Sequence, residues 1–459
     1  MTPPQQPPVP QVPFQLPQKP KKENPSITVK LLVIALLVLI LVVPWGLLQW
    51  LIYDRQNMNE EAVNEVSQKW SNPQNVSGPV LYVPFIATSS GGSDYTAYLK
   101  VLPEELSISG KVVPEKRYRG IYEVVVYSSA LSVTGKMKIP DYEEMKIDAK
   151  KIMWDRAFVG IGVDDMRGIR DGVNFKWRDA SYSCNPGIST GTDGYSSSTG
   201  VSCPVAFAHT DTVPGAEIPF SFDLDLDGSK NLNFEPLGKT TKVHLTSTWA
   251  SPSFSGAFLP DTHNINTNGF VADWKVLHLN RNYPQAWVDN AYNTADSRFG
   301  VELMVPVDHY TKSSRASKYA IMLIGLTFLI YFFVEVMQKL RIHPFQYILV
   351  GLSICVFYLL LLSFSEHMVF NFAYWTAASL TLLAITSYSG AIFRKKLPTA
   401  VMGTSLLLMY GFMFVIIQLE DYALLVGSVA LFLILIVLMY LSRKIKWYGD
   451  DENNPTSTT

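Results

Sequence analysis

The sequence predicts a membrane protein with six α-helical transmembrane spans and a large, mainly-β, sandwich-like extracytoplasmic domain between spans 1 and 2. Two apolar regions lie at residues 31–52 and 319–441, and the chain between them has the composition of short strands. Hydrophobic residues make up 48% of the chain and charged residues only 17%, which favours the membrane class. The formal net charge of −1 gives no indication of a nucleic-acid partner.

The N-terminal segment combines a polar tail with a membrane anchor. Residues 1–30 are rich in Pro and Gln and should form a disordered cytoplasmic tail. Residues 31–52 are long enough, at 1.5 Å per residue, to cross a hydrocarbon core of about 30 Å. A cleaved signal peptide is the alternative, but the run is too long for one and has no small-residue cleavage site behind it. We therefore expect an uncleaved anchor in the lipid bilayer.

Residues 53–71 predict a juxtamembrane helical stalk. Apolar residues recur there at every fourth position, namely Met58, Ala62, Val66 and Trp70. That spacing places them on one helical face, and Pro73 should stop the helix.

Residues 72–318 predict a β-rich periplasmic domain. Runs rich in Val, Ile, Tyr and Phe alternate there with turn residues, which is typical of strands. The region is long enough to bury a core of its own, and we expect two packed sheets.

Residues 319–441 predict a five-span bundle, followed by a cytoplasmic tail at 442–459. Lys and Arg follow the second, fourth and sixth spans, whereas the alternate loops carry neither. The positive-inside rule then places both termini in the cytoplasm and the β domain in the periplasm. Three basic residues oppose this rule on the outer side, namely Lys312, Arg315 and Lys318.

Of the three cysteines, Cys355 lies inside a predicted span. Cys184 and Cys203 flank a Ser/Gly/Thr-rich segment of the external domain, where a disulfide between them is permitted. Such a bridge would contribute on the order of 3 kcal/mol by loop closure.

Two short motifs have both a functional and a structural interpretation. Gly187, Ser189 and Gly191 match the pattern of a serine hydrolase, but they lie in a Ser/Gly-rich loop instead of a strand-to-helix turn. Residues 223–228 resemble half of a calcium loop, yet Phe234 occupies the position of its bidentate Glu. We expect a strand with one wet face there and a hairpin turn at Asp227-Gly228.

No metal, cofactor or catalytic spacing emerges from the remaining residues. The histidines are scattered singly, and no phosphate-binding or dinucleotide glycine pattern occurs. Glu335 is the intramembrane carboxylate, which we interpret as an interfacial ion pair with Lys339, with a proton or ion relay as the alternative.

The stretch from Trp249 to Trp287 is the densest in aromatic and turn residues. Its aromatic side chains include Trp249, Phe254, Phe258, Phe270, Trp274 and Trp287. They fit either an aromatic core of the external domain, which we favour, or an exposed ligand platform. Asp273 and Lys275 should point to the face opposite Trp274.

Several segments together resemble the CreD family of bacterial inner-membrane proteins. They include EEAVNEVSQKW, LPEELSISGKVVPEKRYRGIYEVVVY, and the chain from WASPSFSGAFLP through NYPQAW. The shared residues with a structural or interaction role would be Arg119, Gly120, Trp249, Pro260, Phe270, Trp274 and Trp287. The loop with Cys184 and Cys203 departs from the family pattern, so the disulfide is not implied by it.

The resemblance implies an envelope component under two-component control, linked to envelope integrity and stress tolerance. It implies no cofactor and no catalytic residues. Our first hypothesis is a non-enzymatic protein whose periplasmic domain senses, scaffolds or binds an unknown envelope protein or ligand. The alternative is a transport or export permease component that acts with a separate energising subunit. The sequence does not indicate an oligomeric state.

Overall fold

The computed structural model describes residues 27–89, 91–190, 197–304, 309–338, 340–419 and 422–443. Its chain divides into two compact units. The β unit is Asp54–Asp308, and the membrane unit combines the chain up to Tyr53 with the chain from His309 onwards. Most of the predicted tails at 1–30 and 442–459 lies outside the described residues, as does Lys339, but residues 27–30 and Ser442 belong to helices and not to the tails.

Seven α-helices occur in the described residues. Their bounds are α1 Ile27–Trp70, α2 His309–Lys318, α3 Ala320–Met337, α4 Pro344–Ser365, α5 Phe370–Phe393, α6 Lys396–Gln418 and α7 Ala423–Ser442. All but α2 are long and apolar enough to cross a membrane. The strands of the described residues all lie between the first and second of these six helices. The predicted fold class is thereby confirmed.

Helix α1 covers both the predicted anchor and the predicted stalk without a break. It starts at Ile27, contains Pro44, and ends at Trp70 shortly before Pro73. At the other end of the β region the last strand stops at Leu303, and the basic segment that follows forms the short helix α2 in the membrane unit.

The strands of the β unit form two sheets. Their bounds are β1 Gln74–Thr88, β2 Asp94–Val101, β3 Pro103–Arg119, β4 Tyr122–Lys138, β5 Phe158–Val163, β6 Asn174–Trp177, β7 Ala180–Ser183, β8 Asn185–Ser189, β9 Ser197–Pro204, β10 Glu217–Ser229, β11 Asn231–Phe234, β12 Thr240–Ser247, β13 Pro252–Gly256, β14 Thr262–Asn266, β15 Gly269–Leu277, β16 Ala286–Val288 and β17 Phe299–Leu303.

The nine-stranded sheet has the order β13-β17-β11-β1-β5-β9-β8, with β2 pairing to both β1 and β16. The eight-stranded sheet has the order β14-β15-β12-β3-β4-β10-β6-β7. Most neighbours are antiparallel, but β1 pairs with β11 and β3 pairs with β12 in parallel. Apolar side chains from the inner faces of both sheets form one buried core, as in a β-sandwich.

The stretch from Trp249 to Trp287 contributes to both sheets. It supplies β13 and β16 to the nine-stranded sheet and β14 and β15 to the eight-stranded sheet. Across the core, the Phe254 ring lies 5.6 Å from that of Trp274, which lies 5.8 Å from Phe299. Aromatic contacts of this kind stabilise the packing beyond the apolar area that they bury.

The predicted hairpin turn at Asp227-Gly228 is wrong. Strand β10 continues through both residues and pairs there with β4, and the chain turns at Lys230, whose φ is 61°. Gly228 is needed for close approach instead: a Cβ at this position would lie 2.3 Å from the Tyr127 hydroxyl oxygen. The next strand, β11, belongs to the other sheet.

The part of α1 that belongs to the β unit is held by the long β3–β4 hairpin. Arg119 Nε lies 3.0 Å from Glu65 Oε2, and the Arg117 guanidinium lies 4.7 Å from the centre of the Trp70 ring. Gly120, at the tip of the hairpin, has the positive φ of 61° that a tight turn requires.

Candidate ligand cavity in the β unit

A cavity of 390 Å³ lies on the outer face of the nine-stranded sheet. Side chains of β1, β2, β5, β8, β9 and β16 line it, together with the loop at residues 289–298. Tyr82 and Val80 of β1 point into it, whereas their neighbours Leu81 and Val83 point into the core. The volume is within the range of about 300–1,000 Å³ that is typical of small-molecule sites.

Two glycines on β5 leave room for the cavity floor. A Cβ at Gly160 would lie 2.7 Å from Tyr82 Cε2 and 3.3 Å from Ile188, and one at Gly162 would lie 2.1 Å from Ser77 Oγ. Any side chain at these positions would displace the neighbours that line the cavity.

Glu235 is the fixed carboxylate of the site. Its side chain is 5% exposed. Oε1 accepts hydrogen bonds from Asn75 Nδ2 and Arg298 Nε, both at 3.1 Å, and Oε2 accepts from Thr294 Oγ1 at 2.6 Å. These donors satisfy both oxygens, so Glu235 chiefly holds the 289–298 loop in place.

Asp164 and Lys100 are the charged groups that remain more open to the cavity. Partial burial raises the pKa of Asp164, and nearby Arg298, at 4.0 Å, opposes that effect. Burial lowers the pKa of Lys100, whose Nζ donates to Asn290 Oδ1 at 2.7 Å and lies 5.6 Å from the centre of the Tyr82 ring. Burial raises the pKa of Tyr82 to about 12. The cavity thus combines nearly balanced charges with hydroxyl and amide groups.

Trp287 and Tyr292 form the aromatic part of the wall. Their ring centres are 5.7 Å apart in an edge-to-face arrangement, and Trp287 also contacts Tyr283 at 6.1 Å. Arg281, which is 9% exposed, anchors the segment through hydrogen bonds to the carbonyls of Tyr283 and Leu237 at 2.6 and 3.2 Å. The end of the Trp249–Trp287 stretch therefore builds one side of the cavity.

The predicted signature residues fall into four places. Trp249, Phe270 and Trp274 are buried in the sandwich core, where Trp249 Nε1 donates to the Met304 carbonyl at 2.9 Å. Arg119 and Gly120 lie at the β3–β4 hairpin, and Pro260 is half-buried between β13 and β14. Trp287 alone among them both packs against the core and lines the cavity.

Cys184 and Cys203 are joined by a disulfide bond. It ties the start of β8 to β9, the hairpin that supplies Ile188 and Thr199 to the cavity wall. Ser189 ends β8, and the next described element is strand β9 instead of the helix that a serine hydrolase needs. Gly191, the last residue of that motif, lies outside the described residues.

The predicted wet face of β15 holds a titratable pair that sequence reasoning missed. Asp273 Oδ1 lies 2.6 Å from His244 Nδ1 on the adjacent strand, and Asp273 Oδ2 accepts from Thr262 Oγ1 at 3.1 Å. Hydrogen bonding from His244 lowers the pKa of Asp273. Both side chains are about half exposed on a flat sheet face. Within the described residues no group of three or more His, Cys, Asp or Glu side chains could hold a metal ion.

Glu335 has partners other than the predicted Lys339, which lies outside the described residues. Its Oε1 accepts from Lys30 Nζ at 2.7 Å, and its Oε2 accepts from the Tyr347 hydroxyl at 2.9 Å. The carboxylate is buried in the membrane unit and links α1, α3 and α4. Sequence spacing favoured the neighbour on the same helix, whereas Lys30 of the first span forms an ion pair with Glu335 in the structure.

The fold defines a multispan membrane protein that carries a β-sandwich with a polar, aromatic-lined cavity between its first and second spans. A family model for "Inner membrane protein CreD" matches residues 26–448. The chain is also 31% identical to inner membrane protein CreD of Escherichia coli (strain K12) over 422 residues, which cover 90% of this chain and 92% of that protein. The chain belongs to the CreD family.

Among solved structures, a candidate nutrient binding protein from Legionella pneumophila aligns with 56% of this chain and 76% of its own chain. The sequence identity is 7% and the TM-score is 0.22, so this likeness carries no argument about fold or function.

Proposed function

We propose that this CreD-family protein binds a saccharide-bearing component of the cell envelope in the cavity of its β unit, and that it thereby contributes to envelope integrity. The proposal places the β unit in the periplasm and both termini in the cytoplasm. It assigns no catalytic step to the protein.

The orientation is supported by the distribution of basic residues. Clusters follow the second, fourth and sixth spans and precede the first, which is the pattern of cytoplasmic loops. The opposing residues Lys312, Arg315 and Lys318 follow a long domain, and such domains are largely exempt from the rule. A reporter fused after Asp94 should be active only in the periplasm and one after Lys396 only in the cytoplasm; the reverse pattern would overturn the orientation.

The observation that carries the binding proposal is the combination of aromatic rings and hydrogen-bonding groups in one cavity. A sugar ring presents apolar C–H faces and a belt of hydroxyls. The exposed ring of Tyr292, which packs on the buried Trp287, can contact such a face, while Asp164, Lys100 and Asn293 can bond the hydroxyls. Two cations and two carboxylates line the cavity, which disfavours a strongly charged ligand and favours a polyhydroxylated one.

Binding is favoured over hydrolysis because only one of the two carboxylates in the cavity is accessible to a ligand. Glycosidases need two carboxyl groups that both reach the substrate. Asp164 is open to the cavity, but both oxygens of Glu235 already accept hydrogen bonds from protein donors. A second carboxylate is therefore not free to act on a ligand.

The test is a binding titration of the purified full-length protein with a labelled cell-wall disaccharide of N-acetylglucosamine and N-acetylmuramic acid. Asp164→Asn should weaken binding about tenfold, because it removes a charged hydrogen-bonding group. Tyr292→Ala should weaken it about fivefold through loss of aromatic contact. The matched controls are Asp223→Asn and Tyr118→Ala, which change exposed residues of the eight-stranded sheet and should leave binding unchanged.

The proposal fails if the disaccharide does not bind, or if the cavity variants and their controls bind it equally well. Release of a cleaved product by the wild-type protein would contradict the non-enzymatic part alone. In cells, Asp164→Asn should fail to restore tolerance of envelope-directed agents to a strain that lacks the protein, whereas Asp223→Asn should restore it.

A further inference from the structure

A groove of 670 Å³ lies between α5 and α6 in the membrane unit. The two helices are joined by only two residues, because α5 ends at Phe393 and α6 begins at Lys396. Leu382, Leu383 and Leu407 line the deeper part of the groove, and Leu383 and Leu407 are 65% and 49% exposed. The walls are therefore apolar where the helices would lie in the hydrocarbon core.

Three consecutive cations lie at the mouth of the groove. They are Arg394, Lys395 and Lys396, all exposed. In the described part of the chain no carboxylate forms an ion pair with any of them, and Lys395 Nζ donates only to the amide oxygen of Gln338, at 3.1 Å. The charge at this mouth is thus not neutralised by the described protein.

The start of α6 adds to the attraction for an anion. No side chain caps its N-terminus, and its first turn contains no acidic residue. The free N–H groups and the helix dipole at such an end both favour a negative group.

The groove also contains a hydroxyl without a partner. Thr386 Oγ1 is buried and makes no hydrogen bond within the described residues. It lies where α5 and α6 approach closely, since a Cβ at Gly403 would be 3.1 Å from Thr386 Cγ2. The two helices enclose this hydroxyl about two turns from Arg394, so it adds a polar group to the deeper wall of the groove.

We propose that this groove binds an anionic glycerophospholipid, with the phosphate at Arg394–Lys396 and an acyl chain along the leucine-lined wall. Basic pockets between spans bind anionic head groups by this combination of charge and apolar contact. A soluble phosphate compound would satisfy the cations but would leave the apolar wall uncovered. The proposal concerns the membrane unit alone and does not depend on the saccharide cavity.

The experiment measures lipid occupancy of the full-length protein in neutral detergent by native mass spectrometry. The probes are dioctanoylphosphatidylglycerol, dioctanoylphosphatidylcholine and glycerol 3-phosphate. Arg394→Gln and Lys396→Gln should each lower the affinity for the phosphatidylglycerol about fivefold, and the double variant about 30-fold. The matched control is Arg443→Gln, which removes an exposed cation at the end of α7.

Ala400→Phe tests the groove itself, because Ala400 is an exposed wall residue whose enlargement would fill the space without entering the helix packing. It should lower phosphatidylglycerol occupancy while leaving the thermal unfolding temperature unchanged. The site is supported if the protein binds phosphatidylglycerol in preference to phosphatidylcholine. The cation variants and Ala400→Phe should weaken that binding, whereas Arg443→Gln should not.

Other outcomes overturn the proposal. Equal binding of the two lipids would remove the role of charge, and an equal loss in Arg443→Gln would show non-specific attraction. Full competition by glycerol 3-phosphate at concentrations similar to those of the lipid would identify a soluble phosphate site instead. Unchanged occupancy in Ala400→Phe would place the lipid elsewhere.

Discussion

Substitution of the ion pair between Lys30 and Glu335 tests whether this pair stabilises the membrane unit. The Glu335 side chain is 5% exposed and that of Lys30 is 24% exposed, with 2.7 Å between Nζ and Oε1. Glu335→Leu leaves the Lys30 ammonium and the Tyr347 hydroxyl without their acceptor. Removing one member of a buried pair costs about 3–5 kcal/mol. We expect about 3 kcal/mol, because a partly exposed lysine can extend towards water.

The double variant Lys30→Met/Glu335→Leu distinguishes the interaction energy of the ion pair from the separate effects of its two members. Because it removes both charges and leaves only a hydroxyl unsatisfied, its stability should be within about 1 kcal/mol of the wild type. Arg443→Met serves as the control for loss of an exposed cation and should have little effect.

The protein carries its own probe for this measurement. Cys355 is buried in α4 and is the free cysteine, since Cys184 and Cys203 are bonded to each other. A thiol-reactive dye will therefore report the thermal unfolding of the membrane unit. A loss of about 3 kcal/mol should lower the midpoint by about 6–12 °C. If the stability losses of the single variants Lys30→Met and Glu335→Leu simply add in the double variant, the ion pair does not stabilise the membrane unit.

Three further predictions concern the β unit, and all use tryptophan fluorescence of the full-length protein during denaturation. Cys203→Ala opens a disulfide that spans 19 residues and should cost about 3 kcal/mol, whereas an unchanged midpoint would contradict a stabilising bridge. Gly228→Ala places a Cβ 2.3 Å from the Tyr127 oxygen and should cost about 1–3 kcal/mol; a neutral effect would refute the close approach. Hydrogen bonding from Arg167 lowers the pKa of Asp165 to about 2, below its ordinary value of 3.8. This carboxylate therefore stabilises the fold above about pH 4, and the contribution is lost as the pH falls towards 2. Asp165→Asn should reduce that acid dependence, and an identical pH profile would contradict it.

The architecture could be predicted because hydrophobicity marks it directly. Long apolar runs separate the six spans from the insert, and runs rich in Val, Ile and Tyr identify the insert as β. Strand order could not be predicted. Strand β12 pairs with β3 from more than a hundred residues away, and β11 crosses to the sheet opposite β10. Such pairings depend on the fit of whole faces, which no local pattern encodes.

The candidate cavity was not predictable for a related reason. Four segments that are distant in sequence supply the polar lining residues Lys100, Asp164, Glu235 and Tyr292. None of these residues lies in a local sequence pattern that indicates a binding site. The only local signals were Gly160 and Gly162 within a strand, which suggest close approach, and the run of aromatic and amide residues after Trp287. The aromatic residues before that run were interpreted correctly as core, as Trp249, Phe270 and Trp274 show.

The most direct test of the proposed function is site-specific photocrosslinking in living cells. A photoreactive amino acid at Tyr292, at the rim of the cavity, should capture saccharide-bearing envelope material, and Asp164→Asn in the same chain should reduce the capture. The same amino acid at Tyr118, which is 65% exposed on the β3–β4 hairpin, should capture little of it. Equal capture at the two positions, or capture that Asp164→Asn does not change, would contradict a ligand site in the cavity.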